Sequence, residues 1–341
     1  MRKILITGSA GFIGFHLCKR FLQGNNYVFG TDNLNAYYDV ELKKSRLDDL
    51  KKFAENYNHK FNFFRGNLED ENFIKNVFEK ENYDFVIHMG AQAGVRYSIE
   101  NPNEYMSSNI KGFLNILEAS KMQNIKHLIF ASSSSVYGGN TKYPYEEKHS
   151  SSHPLSFYAV TKKSNELMAH VYSHLFNLPC SGLRFFTVYG PWGRPDMAPM
   201  IFTKNILENK PINIFNNGEM ERDFTYIDDV VEIIYRLMDK PPKSNKLFDK
   251  WEPDPSSSWA PYKIYNVGNS NPVKLIDFVN LIENELGKKA IKNFLPMQQG
   301  DVKSTAANTC KIEELLGYES KTDIKRGVKS FIKWFKNYYN F

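Results

Sequence analysis

The strongest constraint on this chain lies at its start. Lys3-Ile4-Leu5-Ile6-Thr7 reads as a short buried strand, and a helical pattern runs from Gly11 to Gln23. Between them stands Gly8-Ser9-Ala10-Gly11-Phe12-Ile13-Gly14. A glycine-rich turn at that junction lets backbone amides approach a pyrophosphate, and the helix N-terminus favours its negative charge. Three glycines alone serve an ordinary tight turn equally well, so the strand and helix around them carry the reading. Asp32 adds to it by closing the second strand, Tyr27–Thr31. An acid there accepts from a ribose 2′-hydroxyl and repels a 2′-phosphate, so the pattern predicts NAD rather than NADP.

The alternation continues through the first half. Phe61–Phe64, Asp84–His88, His127–Ala131 and Pro179–Phe185 read as strands, with helices expected at Asn72–Lys80, Glu104–Ser120 and Phe157–Phe176. Apolar strands alternating with helices predict a doubly wound parallel sheet of the Rossmann type, an α/β fold covered on both faces. Beyond residue 185 the pattern is less regular, with helices expected at Met200–Glu208, Ile227–Met238, Leu275–Leu286 and Lys325–Tyr338. A length of 341 residues suits two domains. The expected division is 1–180 for the dinucleotide and 181–341 as a smaller α/β substrate domain, with the chain crossing between them. Pro241–Pro261, rich in Pro, Ser, Lys and Trp, reads as a surface loop.

Composition excludes several classes. With 42% hydrophobic and 24% charged residues, the chain is not of the disordered type. No apolar run approaches the ~18 residues of a membrane span. Thr7-Gly8-Ser9 interrupts the apolar start before it resembles a signal peptide, so a cytoplasmic protein is expected. The net charge of +6 comes from Lys and Arg scattered among acids, which argues against a nucleic-acid partner. Cys18, Cys180 and Cys310 are odd in number and far apart, which argues against a disulfide framework and against structural zinc; no metal is expected.

Tyr158-Ala159-Val160-Thr161-Lys162 places a phenol and an ammonium one helical turn apart, on one face of the long helix. A tyrosine is a poor base at neutral pH, and a neighbouring lysine cation favours its phenolate. The pair alone is also what a solvated helix face carries. The run Ser132-Ser133-Ser134-Ser135, just after the strand ending at Ala131, sharpens it. Ligands in such sheets bind beyond the C-terminal strand ends, so these hydroxyls are expected to face the dinucleotide crevice.

Taken together, Gly8, Gly11, Gly14, Asp32, Ser133, Tyr158 and Lys162 resemble the extended short-chain dehydrogenase/reductase family over essentially the whole chain. Three longer strings narrow the resemblance to its UDP-glucuronate 4-epimerases: Asn33–Asp39, Ala91–Ser98 and Leu183–Met197. The resemblance implies a bound NAD that takes hydride from carbon 4 of a UDP-sugar and returns it to the other face of a 4-keto intermediate. By matching position, Tyr158 is the base, Lys162 tunes it and holds the nicotinamide ribose, and Ser133 hydrogen-bonds the reacting oxygen. Phe12, Ile13, Asn33, Gly90, Ala91, Asn109 and Phe186 match cofactor positions. Asn67-Leu68 stands where many relatives carry Asp before the Leu or Ile, implying a weaker or reoriented contact to adenine.

The same resemblance assigns Arg96, Arg194, Arg222 and Asp301 to the substrate, with Arg222 on the UDP phosphates and Asp301 near the uridine ribose. Gln298 stands where some epimerases place a further arginine. Related dehydratases carry Thr-Asp-Glu at Ser133-Ser134-Ser135, so the elimination carboxylates are replaced by hydroxyls here. Oxidising carbon 4 of a glucuronate gives a β-keto acid prone to lose carbon dioxide, so an epimerase must hold the carboxylate in an unreactive orientation. Ser134, Ser135 and Thr187 are the neutral donors expected around it, Thr187 replacing the asparagine typical of neutral-sugar epimerases. A homodimer is expected, because Leu167, Val171 and Leu175 recur at helical spacing and the family pairs two such helices per subunit. The product is expected to feed surface polysaccharide synthesis. The competing readings are a 4-epimerase of UDP-glucose or UDP-N-acetylglucosamine, and a redox-sensing module without catalysis, against which Tyr158 and Lys162 argue.

Overall fold

The computed structural model describes residues 1–58, 60–298 and 300–341. Along the chain run strands β1 (Lys3–Thr7), β2 (Tyr27–Asp32), β3 (Phe61–Arg65), β4 (Phe85–His88), β5 (His127–Ser133) and β6 (Cys180–Phe185). Then come β7 (Thr187–Tyr189), β8 (Pro211–Ile214), β9 (Glu221–Tyr226), β10 (Tyr262–Val267), β11 (Pro272–Lys274) and β12 (Ile291–Phe294). Seven of them form one parallel sheet in the order β10-β6-β5-β4-β1-β2-β3. Side chains of β1 show why both faces are apolar. Ile4 and Ile6 pack with helices Phe12–Gln23 and Ile227–Leu237, while Leu5 packs the other way, toward helices Glu71–Lys80 and Gly112–Met122. The predicted doubly wound sheet is therefore present.

The chain runs outward from β1 through β2 to β3, then returns to lay β4 on the other side of β1. That reversal opens a crevice beyond the C-terminal ends of β1 and β4, the usual ligand position in such sheets. Thr7 and His88 end the two strands in register. The Thr7 hydroxyl joins His88 Nδ1 at 2.9 Å and accepts from the Gly90 amide at 2.9 Å, fixing the loop that follows β4.

The expected division at residue 180 meets the start of β6. Both β6 and β10 belong to the seven-stranded sheet, so that sheet draws strands from both sides of residue 180. The smaller lobe holds the β11-β9-β7 sheet and the β12-β8 pair, packed by helices Ala198–Leu207, Leu275–Leu286 and Ile324–Tyr339. Phe224 stacks on Phe278 at its centre, with ring centroids 4.1 Å apart.

Two helical details depart from expectation. The segment expected as one helix over Glu104–Ser120 is a short helix Pro102–Tyr105, a π turn Met106–Lys111 and a helix Gly112–Met122. A helix over Val40–Glu55 was not anticipated, because its buried Leu42, Leu47, Leu50 and Ala54 are spaced among charges. Asp39 caps it, accepting from the Glu41 amide at 2.9 Å. The long helix Phe157–Phe176 begins at Ser156, whose hydroxyl accepts from the Ala159 amide, and ends at Asn177 in the left-handed region. The stretch 241–261 is a loop with Trp251 almost fully exposed, and Ser256, Ser257 and Ser258 buried where it rejoins β10. No helix among the described residues is long and apolar enough to cross a membrane.

Candidate active site

A cleft of about 420 Å³ opens at the crevice. Its cofactor end is built by the glycine turn. The Gly8 and Ser9 amides donate to the Thr31 carbonyl at 2.8 and 3.2 Å, which ties the turn to β2. Gly8 lies at φ +70°, in the left-handed region, and a Cβ on Gly14 would fall 2.1 Å from the Gly8 carbonyl oxygen. Turn and helix therefore approach closely only because those side chains are missing, and the cradle they leave lies along the cleft. Gly8, Gly11, Phe12, Ile13, Gly14, Asp32, Asn33, Leu68, Gly90, Ala91 and Phe186 all line it. Asp32 is held by the Ala10 amide at 3.2 Å and the Leu34 amide at 2.9 Å. Burial raises its pKa, while those amides and the cations Lys43 and Arg46 oppose the rise. A glycine cradle and a fixed carboxylate at the end of β2 suit a dinucleotide pyrophosphate and its ribose diol.

At the other end stand Ser133, Tyr158 and Lys162, brought together by the end of β5 and the long helix. The Ser133 hydroxyl accepts from the Ser135 amide at 3.2 Å and the Ser135 hydroxyl at 3.0 Å. The Lys162 ammonium donates to the Ala131 carbonyl at 2.9 Å and lies 5.9 Å from the Tyr158 ring. Burial lowers its pKa to about 8. Burial also raises that of Tyr158, opposed by the charge of Arg194 and by the neighbouring Ser133 hydroxyl. Arg194 thus adds a second cation near the phenol, beside the Lys162 that the sequence pointed to.

The helix carrying Tyr158 is clamped to β5 and β6 from beneath. Glu166, fully buried, accepts from the Ser132 hydroxyl at 2.7 Å and from Arg184 Nε and Nη2 at 2.8 and 2.9 Å. Lys163 adds a fourth contact at 3.1 Å.

Ser134, Ser135, Thr187 and Arg194 line the same cleft as Tyr158. Arg194 is gripped by Asp196, Nε to Oδ1 at 3.0 Å, and the Tyr37 hydroxyl donates to Asp196 Oδ2 at 3.0 Å. Farther along, Arg222 pairs with Asp301 at 2.7 Å, so these two substrate candidates also meet each other. Among the described residues the acids lining the cleft are Asp32, Glu69 and Asp301. No group of three or more His, Cys, Asp or Glu among them is arranged to hold a metal.

Three assigned residues sit elsewhere. Asn109 is buried in the π turn, away from the cleft wall. Its side-chain oxygen accepts from the Gln92 amide at 2.8 Å, and its amide donates to the Gln92 carbonyl and the Thr161 hydroxyl, both at 3.0 Å. It shapes the loop after β4. Asn67 is exposed and does not line the cleft, although Gly66 and Leu68 on either side of it do. Arg96 is exposed at the rim, 3.8 Å from Asp301 and over the Phe215 ring. Residues the sequence did not assign are Tyr37, Lys43 and Asp196. The Asn33–Asp39 and Leu183–Met197 strings held Tyr37 and Asp196, but no spacing pairs residues so far apart.

Residues 4–268 match the NAD dependent epimerase/dehydratase family. The chain is 54% identical to Protein CapI of Staphylococcus aureus, over 99% of both chains. It is 44% identical to a Rhizobium meliloti protein named "Probable UDP-glucuronate 4-epimerase", over 99% of this chain and 98% of that one. The crystal structure of UDP-glucuronic acid 4-epimerase from Bacillus cereus, in complex with UDP-glucuronic acid and NAD, superposes with a TM-score of 0.86 at 33% identity. That match covers 99% of this chain and all of the other. Glycine cradle, Asp32, and the Ser133–Tyr158–Lys162 cluster at the sheet's switch point agree with these matches: the chain belongs to the NAD dependent epimerase/dehydratase family.

Proposed function

We propose that the protein is a 4-epimerase interconverting UDP-glucuronate and UDP-galacturonate, with NAD as its resident cofactor. The observation that carries this reading is the lining of the cleft that holds Tyr158. It offers hydroxyls from Ser133, Ser134, Ser135 and Thr187 together with Arg194, while the lining acids lie at Asp32, Glu69 and Asp301. A dehydratase needs an acid and a base at carbons 5 and 6; this lining supplies neutral donors and a cation, which suit a substrate carboxylate.

NAD, when bound, supplies the hydride acceptor and donor for carbon 4. Gly8, Gly11 and Gly14 with the helix N-terminus hold its pyrophosphate, and Asp32 its ribose. Tyr158 takes the proton of the 4-hydroxyl and returns it, and Ser133 hydrogen-bonds the same oxygen in both directions. Lys162, anchored on Ala131, orients the ribose beside Tyr158. Ser134, Ser135 and Thr187 hold the carboxylate so that its bond to carbon 5 stays out of line with the ketone. Arg222 takes the diphosphate, and Asp301, paired with it, the uridine ribose. Turnover of UDP-glucuronate against UDP-glucose tests the reading, which expects the larger kcat/KM for the uronate. A larger value for UDP-glucose would replace it with a neutral-sugar 4-epimerase.

Thr187→Ala is expected to slow epimerisation of UDP-glucuronate about 10- to 150-fold, since a hydrogen bond to a charged group contributes ~1.5–3 kcal/mol. Some product should then appear decarboxylated. Equal losses on charged and neutral sugars, measured by product separation, would contradict the carboxylate hold.

The same reading makes the protein a homodimer that feeds surface polysaccharide synthesis. Leu167, Val171 and Leu175 form one stripe on the long helix with 58%, 46% and 62% exposure, and Leu114 is 41% exposed on helix Gly112–Met122. Such a stripe suits the face of a second copy. Sedimentation at micromolar concentration should give the dimer mass; a monomer would contradict it.

A further inference from the structure

The guanidinium that the proposed function aims at the substrate carboxylate already carries a carboxylate of its own. Asp196 takes Nε of Arg194 at 3.0 Å and Nη2 at 2.5 Å, a two-bond fork. Both side chains are about one-quarter exposed, so solvent screens the pair only partly. Asp196 does not itself line the cleft, whereas Arg194 does. The Tyr37 hydroxyl, from the segment after β2, donates to the same Asp196 oxygen that faces Nη2. The fork uses two of the five guanidinium N–H groups, leaving three for a ligand. Arg194 thus keeps its directional donors while much of its charge is cancelled.

Epimerisation makes conflicting demands on that donor. The 4-keto intermediate must be retained, yet it must turn over before carbon 4 is reduced from the other face. An uncompensated arginine in a partly dry cleft would hold the carboxylate in a strong bidentate pair and pin one face. We propose that Asp196 is a positioning residue that weakens Arg194's hold on the sugar carboxylate, so that the intermediate stays bound but can turn. This rests on the reading above, in which Arg194 faces the carboxylate of a uronate.

Two substitutions move the hold in opposite directions. Asp196→Asn keeps the size and one acceptor oxygen but removes the charge. Tyr37→Phe removes a donor from Asp196, leaving that carboxylate a better partner for Arg194. The affinity of NAD-loaded protein for UDP-glucuronate is measured by calorimetry in a Tyr158→Phe background, so that binding is read without turnover. Asp196→Asn should tighten it about 3- to 10-fold, within the range of one charge-assisted hydrogen bond. Tyr37→Phe should weaken it about twofold. With Tyr158 restored, Asp196→Asn should lower KM and kcat together, a split that loss of structure does not produce. In an Arg194→Gln background the gain in affinity should vanish. Unchanged or weaker binding by Asp196→Asn, or a gain that persists without Arg194, would overturn the proposal. Failure of the unmodified protein to convert UDP-glucuronate would instead overturn the proposed function, and would be seen before any variant is made.

Discussion

Tyr158→Phe is expected to slow epimerisation about 10²- to 10⁴-fold, the usual contribution of a positioned general base. Affinity for the UDP-sugar should change little, because the ring and its packing against Tyr105 remain. The phenol is well placed to be that base. It is half-buried beside Ser133 and sits within the field of Arg194, which opposes the rise in pKa that burial causes. His88, the nearby ring that could compete, is buried against Thr7 and Phe113, and burial holds its pKa at about 3. Steady-state rates and UDP-sugar affinities of the variant decide the matter. Retention of more than about a tenth of the rate would mean that another group takes the proton, since less than tenfold lies outside general-base effects.

Arg184→Met should cost about 3–5 kcal/mol of stability, because it leaves the Glu166 carboxylate buried without its main counterion. Both side chains have no measurable exposure, and the pair links β6 to the helix that carries Tyr158. Burial pushes the Glu166 pKa up, but Arg184, Lys163 and the Ser132 hydroxyl outweigh it and hold the carboxyl well below the usual range. A depressed carboxylate pKa stabilises the fold at and above the usual carboxylate range, and that contribution is lost as pH falls toward the depressed value. Denaturant unfolding at neutral and acid pH should therefore show the variant losing most at neutral pH and little in acid. The double replacement Glu166→Leu with Arg184→Met should recover much of the loss, as buried pairs replaced by apolar residues often do. An equal deficit at both pH values would show that the loss comes from packing against Tyr137 instead.

The parts of this molecule legible in its sequence are those set by local pattern. The apolar runs of β1, β4 and β5, the capped helix Phe157–Phe176 and the turn Gly8–Gly14 each announce themselves within a few residues. Ser133, Tyr158 and Lys162 were legible because the strand–helix order forces both carriers toward one edge of the sheet. What stayed hidden depends on distant partners. β10 joins the large sheet from beyond residue 260, and nothing local marks it as a neighbour of β6. Helix Val40–Glu55 hides its buried leucines among Lys, Arg and Asp, one of which, Arg46, is itself buried and bonded to Ala10, Tyr38, Trp192 and Gly193. Asn109 matched a cofactor position, yet its π turn aims it at the Gln92 backbone. Arg194 read as a substrate contact, and no local pattern marks Asp196 and Tyr37 as the partners of its charge.

In the proposed reaction, carbon 4 is oxidised and reduced in one pocket while the carboxylate is kept. The most direct measurement supplies UDP-glucuronate carrying deuterium at carbon 4 and identifies the product by mass and proton resonance. The expected product is UDP-galacturonate with the deuterium still on carbon 4 and carbon 6 still present. Product that has lost the label, or a UDP-pentose formed by loss of carbon dioxide as the main product, would contradict it.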